Sequence, residues 1–326
     1  MTRIPADRQN WKNIIGLSLG LALLVSTMLI AFGLPAVNTA PRDLPVALSA
    51  PPQVSQAIAT RLETAQPGAL EIVSVPSQQA AEELIRTREV YGAFAVGPDG
   101  LTINVASAAS PTVAQMLTQI GQTMAAQQNM PAHINDVIPT SQDDPKALGL
   151  AAGALPIALG GLIAGLVTAQ LIRGKLNRLY AISSCAVMAG LLIALILEFW
   201  FGTFTGSFWA TASAATLGIL ATGLLVLGSK SMFGKAGIIT TAALIVLLGN
   251  PLSGLASAPE LLPQPWGAIG QLLPPGATGT LLRNVAFFDG AAIATPLIVL
   301  TCWVLIGGAM LMFAKPTPPR RAEAQQ

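Results

Sequence analysis

The sequence predicts an α-helical polytopic membrane protein with six transmembrane helices and an extracytoplasmic α/β domain inserted between helices 1 and 2. Three observations point there. Of 326 residues, 52% are hydrophobic and only 10% are charged, against roughly 25% charged in an ordinary soluble domain. The charge is uneven: nearly half of the 17 basic and 15 acidic residues fall between the first apolar stretch and the second, and long stretches elsewhere carry none. The remaining basic residues gather at the ends of apolar stretches with one consistent asymmetry of sign.

A membrane-crossing helix needs about 20 mostly apolar residues. The first such stretch, 14–34, follows Arg3, Arg8 and Lys12 in an N-terminus over 1–13. Its apolar run exceeds the roughly 7–15 residues of a signal-peptide core, and no small-x-small cleavage site follows, so it reads as an uncleaved anchor. The others fall at 148–172, 179–201, 208–228, 236–256 and 291–314, with a tail over 315–326. Six crossings put both termini on one side. If that side is the cytoplasm, it holds 11 of the 17 basic residues and, of the acids, only Asp7 and Glu323. Positive charge stays inside, so the sequence predicts a multi-pass protein of the bacterial inner membrane with both termini cytoplasmic. Trp11, Tyr180, Trp200 and Trp209 fall at span ends, where amphipathic rings favour the interface. Trp303 lies mid-span and reads as packing. Cys185 and Cys302 sit in apolar runs and read as small core residues.

The segment 35–147 is organised differently. Leu44 to Leu48 reads as a strand, Gln53 to Ala65 as a helix, and Leu70 to Val75 as a second strand. Ser77 precedes a helix through Ala81, Leu84 and Ile85. Val90 to Val96 and Leu101 to Ala106 flank the turn signal Pro98-Asp99-Gly100. Pro111 opens a longer helix, and Ile134 to Ile138 reads as a last strand. The order β-α-β-α-β-β-α-β implies a small mixed sheet with helices packed on it. The cluster Glu82, Glu83, Arg86, Arg88 and Glu89 reads as a solvated helix face with local ion pairs. His133 is the only histidine. With no nucleophile elbow and no metal-ligand cluster, the domain offers no catalytic arrangement and no cofactor motif. Nucleic-acid binding has no basic, aromatic-rich patch to support it.

Two membrane features carry functional weight. Glu198 is the one ionisable residue within a span, close to its outer end; it either snorkels or contacts a substrate or gate. Gly249-Asn250-Pro251 breaks the fifth stretch, because proline removes a donor and clashes with the preceding turn. Residues 257–290 then stay apolar but are cut by Pro263, Pro265, Pro274, Pro275, Gly267, Gly270 and Gly276. Such a segment fits a helical hairpin dipping into the outer leaflet, serving either as a plug or as a gate. The residues offered for a gate or substrate path are therefore Glu198, Asn250, Pro251, Glu260, Trp266, Pro274, Pro275 and Arg283. The stretch Gly228 to Lys235 fails the phosphate-loop spacing, so any nucleotide hydrolysis must come from another chain.

One span, a large outer domain and five further spans resemble the ABC-2-type permease superfamily, especially its phage-infection-protein-like branch. The resemblance rests on Gly249-Asn-Pro-Leu-Ser-Gly254, Pro265-Trp-Gly-Ala-Ile-Gly270, Leu273-Pro-Pro-Gly-Ala277 and Arg283-Asn-Val-Ala-Phe-Phe-Asp-Gly290, which are similar to the outer hairpin of actinobacterial permease-like proteins. Glu89-Val-Tyr-Gly-Ala93 is similar to a stretch of the same group's outer domain. The resemblance implies an exporter subunit, a separate ATPase and a homo- or heterodimer of permeases in the lipid bilayer. Arg173, Lys175 and Arg178 would then be the ATPase contact. Only Met1 to Asn13 and this short loop stand where the superfamily carries its interface and coupling helices. That economy supports a second reading, a non-transporting membrane protein whose outer domain binds an envelope component or partner protein.

Overall fold

The computed structural model describes residues 8–255 and 257–315. The sequence readings that involve Arg3, Asp7, Arg320, Arg321 and Glu323 lie outside the described residues. A long helix, α1 (Arg8–Val37), leads into the α/β domain. That domain comprises β1 (Leu44–Ser49), α2 (Pro52–Ala65), β2 (Leu70–Ser74), α3 (Gln78–Arg86), β3 (Gly92–Gly97), β4 (Gly100–Val105), α4 (Pro111–Gln127) and β5 (Ala132–Asp136). Its five strands form one sheet in the order β2-β1-β3-β4-β5. β1 runs parallel to both β2 and β3, β4 is antiparallel to β3, and β5 is parallel to β4.

Local chemistry sets these boundaries. Ser77 and Ser110 accept hydrogen bonds from Ala80 N–H (3.2 Å) and Val113 N–H (3.3 Å), capping α3 and α4. Gly97 pairs with Gly100 across the Pro98-Asp99 turn. Leu44, Leu48, Ile85, Phe94, Leu101, Ile103 and Leu117 fill the core. The last strand comes two residues earlier than its apolar signal at 134–138. Register explains the shift: Leu101 to Val105 pair with Ala132 to Asp136. Val137 and Ile138 instead lie half-buried against the core beyond the strand end.

The rest of the chain is helical. α5 (Leu148–Leu171), α6 (Lys175–Leu195), α7 (Phe208–Ala242), α8 (Trp266–Gln271), α9 (Pro274–Phe287) and α10 (Ala294–Phe313) follow in order. π-helical turns extend α6 over Ile196–Trp200 and α7 over Ala243–Gly249. Five helices are long and apolar enough to cross a membrane. Their outward faces are apolar too: Leu17, Leu29, Ile163, Leu192, Ile298 and Leu305 are each more than half exposed. A contiguous apolar exterior of this kind belongs to a membrane protein.

Several helices differ in their limits from the expected spans. The helix at the expected third span begins at Lys175, directly after Gly174, and the one at the expected sixth begins at Ala294. The helix at the expected fifth ends at Gly249, since Asn250 and Pro251 turn the chain, so 250–255 is not helical. The fourth and fifth are joined without a loop in Phe208–Gly249, 42 residues long. Gly234, at φ 63° and ψ −132°, lies in a region open in practice only to glycine. The chain reverses there. Gly237 backs onto the carbonyl of Ser229, and Ile245 packs in one cluster with Leu225. On a straight helix of 1.5 Å rise per residue those last two would stand about 30 Å apart.

The first arm of α7 is the hub, with α5, α6, α9 and α10 packed around it. Glycine makes this close approach possible. A Cβ on Gly161 would lie 2.9 Å from the carbonyl oxygen of Ile219, and one on Gly307 2.6 Å from that of Leu224. Their neighbours Gly160 and Gly308 face open space. Gly161→Ala and Gly307→Ala should each cost about 1–3 kcal/mol by overpacking, whereas Gly160→Ala and Gly308→Ala should cost little. Melting temperatures of the four variants in one detergent check this.

Candidate functional site

The chain between Gly249 and α10 folds into a compact cap on the domain-facing end of the bundle. Asn250 O accepts from Ser253 Oγ at 2.7 Å, turning the chain away from the short arm of α7. Gly267, Gly270 and Gly276 press against neighbouring carbonyl groups of Pro259, Leu252 and Gly270, where no side chain would fit. Pro274 and Pro275 open α9, where a missing N–H costs nothing. Gln271 Nε2 donates to Ser253 O (2.8 Å) and its Oε1 accepts from Thr280 Oγ1 (2.6 Å). Trp303 does more than pack, since its Nε1–H donates to Leu272 O at 2.8 Å and ties α10 to the cap.

The cap also grips the α/β domain. Ala40 N–H donates to Leu261 O (3.0 Å) and Arg42 N–H to Glu260 O (3.1 Å), a short extended pairing. The Arg42 guanidinium is spent on carbonyls of Asn38, Ala40 and Leu261. Gln264 donates to Asp43 at 3.2 Å. Ala258, Leu261 and Phe288 join the domain's own apolar core.

At this seam lies a cavity of about 450 Å³, walled by both parts. Its wall includes Arg88 and Tyr91 from the domain, Glu260 from the cap, and Gln271, Thr280, Arg283 and Asn284 from α8 and α9. Tyr91 is buried and donates its hydroxyl to Glu260 Oε2 at 2.7 Å. Burial first, and the Glu260 carboxylate second, push the Tyr91 hydroxyl well above its ordinary pKa. Arg283 is 4% exposed and donates Nη2 to Leu255 O at 2.9 Å. Burial first, then repulsion from Arg88, brings its guanidinium down to about 10. Arg88 adopts a left-handed φ of 66° just past α3, where glycine is usual. That turn takes it off the solvated face expected from sequence and lays its guanidinium 5.3 Å from the Tyr91 ring centre and 4.8 Å from that of Phe288. Arg88 Nε and Asn284 Oδ1 are buried without a hydrogen-bond partner among the described residues.

The sequence-derived candidates separate in space. Glu260 and Arg283 meet in this cavity. Asn250 and Pro251 line another, of about 360 Å³, beside Phe32, Pro35 and Thr39. Trp266 is 45% exposed on α8. Pro274 and Pro275 are buried, the latter against Gly249. Glu198 lies in the π-helical turn after α6 with Oε2 buried and unpartnered among the described residues. At the far end, Lys175 Nζ donates to Met312 O (2.6 Å), and Arg178 donates to Ile172 O and Ala169 O. Both bind helix C-terminal carbonyls, and of the three basic residues Arg173 alone is exposed. Arg88, Tyr91, Gln271, Thr280 and Asn284 were not singled out from sequence as site residues. The available signal was Arg283-Asn284, a polar pair inside an otherwise apolar run.

No protein-family model, no curated protein and no solved structure matches the chain.

Tyr91→Phe should cost about 1–3 kcal/mol by leaving Glu260 without its donor. Tyr91 has a folded pKa above its ordinary value of 10.0, so its contribution is complete below pH 10 and is lost as pH rises beyond that. The stability gap between wild type and Y91F should therefore stay level from pH 7 to 10 and shrink above it, as melting temperatures across pH will show.

Proposed function

We propose that this chain is the permease-like membrane subunit of an exporter, working as a dimer and energised by a separate ATPase. The cap carries the reading. A glycine-built helical pair sits on the bundle, buries Arg283 and Asn284, and shares with the α/β domain a cavity whose wall carries charged side chains. Irregular backbone near a membrane is tolerated where protein covers it or it lines a cavity. Such a cap is suited to gate a path between bundle and domain. π-helical turns at 196–200 and 243–249 add to this, since they concentrate at functional sites.

In this reading the chain crosses the membrane six times, the reversal at Gly234 dividing Phe208–Gly249 into two passes. The α/β domain stands outside. Arg173, Lys175, Arg178 and Lys230 gather at the opposite end, near Ser231 and Met312, which supports a cytoplasmic placement for that end.

A second reading draws on the same end. Only Ile172, Arg173 and Gly174 separate α5 from α6, and Lys175 and Arg178 are occupied by carbonyls. That is little surface for an ATPase, and it favours a non-transporting protein whose outer domain binds an envelope component or partner. Purification from the native host in mild detergent, with mass spectrometry, separates the two. The permease reading expects a stoichiometric ATPase whose hydrolysis this chain stimulates, and less of it with Arg173→Glu. Folded protein that repeatedly arrives without an ATPase sinks that reading and leaves the second.

A further inference from the structure

The seam cavity has the makings of a ligand site whether or not the chain transports anything. Its inner wall places two guanidinium groups, Arg88 and Arg283, near one carboxylate, Glu260. One oxygen of that carboxylate already accepts from Tyr91. The cavity's other acids, Asp43 and Glu89, are exposed and engaged by Gln264 and Thr87. Arg42 is spent on carbonyls. Arg88 and Arg283 against Glu260 leave the inner group one negative charge short, while the outer three, Arg42, Asp43 and Glu89, carry the balancing charge, both acids at exposed positions; a cluster serving stability alone would gain from pairing charge within the inner group. Asn284 is 1% exposed, donates Nδ2 to Ala292 O, and offers Oδ1 to nothing among the described residues. Arg88 Nε is likewise a donor without an acceptor. The residues of the wall therefore include guanidinium donors suited to an oxyanion and, in Asn284, a carbonyl acceptor without a donor, suited to a hydroxyl.

We propose that this cavity binds a singly charged phosphodiester bearing a hydroxyl group, its two free oxygens shared between Arg88 and Arg283 and its hydroxyl donating to Asn284 Oδ1. Two free oxygens suit two arginines, and one negative charge balances the inner wall. A volume of about 450 Å³ falls in the usual range for small-molecule pockets, roughly 300–1,000 Å³. A glycerol phosphodiester has this chemistry, and it has two sources. One is a soluble molecule from the aqueous side. The other is the headgroup of a lipid beside the bundle.

The experiment uses the full chain, purified and monodisperse. Soluble glycerophosphoglycerol is titrated by calorimetry in detergent, and phosphatidylglycerol is compared with phosphatidylethanol by native mass spectrometry from nanodiscs. Phosphatidylethanol keeps the singly charged phosphodiester but lacks the hydroxyl. Saturable binding of the soluble ester identifies a soluble ligand, and binding of phosphatidylglycerol alone identifies a headgroup; either supports the site. Arg88→Gln and Arg283→Gln should each weaken binding about tenfold or more, the worth of a charge-assisted hydrogen bond. Asn284→Ala should erase the preference for phosphatidylglycerol over phosphatidylethanol. Should Arg283→Gln fail to fold, Arg88→Gln at its half-buried position decides. Absence of saturable binding to either probe, or binding that a folded Arg88→Gln leaves unchanged, overturns the proposal.

Discussion

Close backbone approach on the first arm of α7 is the constraint on which the bundle depends. Among lipid tails, apolar side chains gain little by leaving one apolar surrounding for another, so helices associate through packing and the pairing of polar groups. This chain meets that demand with glycine. Gly161, Gly190 and Gly307, each from a different helix, lie against carbonyls of α7. Gly218 of α7 in turn receives Thr278 of α9. The contact that seats α9 also fixes Arg283 and Asn284, five and six positions further along the same helix, beneath the α/β domain. Site geometry thus follows from helix packing rather than from a loop of its own.

The sequence made the element order of the α/β domain legible because capping serines, the Pro98-Asp99-Gly100 turn and alternating apolar runs act locally. Apolar stretches were legible for the same reason. The sharp reversal was not. Between Leu227 and Ala236 the sequence offers two lysines and two glycines, which read as a loop, whereas helix continues on both sides of the single residue Gly234. The carbonyl contacts of Lys175 and Arg178 were likewise not legible, because which carbonyls a basic side chain meets depends on helices distant in sequence. The strand over 132–136 shifted because pairing with β4 outweighs local hydrophobicity.

The cavity was half legible. Arg283 stands out in an apolar run, and Glu260 in a proline-rich one. Arg88 and Tyr91 did not, because their role depends on the left-handed turn after α3 and on a cap that arrives about 170 residues later, as the span from Tyr91 to Glu260 records. Their long-range meeting is the physical content of the site: an aromatic ring and a guanidinium from one part close over a carboxylate and a guanidinium from the other. The chemistry exists only while the two parts are joined.

That joint is the central claim, and hydrogen exchange tests it directly. The amides of Ala40 and Arg42 donate to Leu261 O and Glu260 O across the seam. In nanodiscs they should exchange as slowly as amides in the β1–β3 ladder. Exchange at the rate of an exposed loop would contradict the account, because the α/β domain would then move apart from the bundle and the cavity between them would not persist.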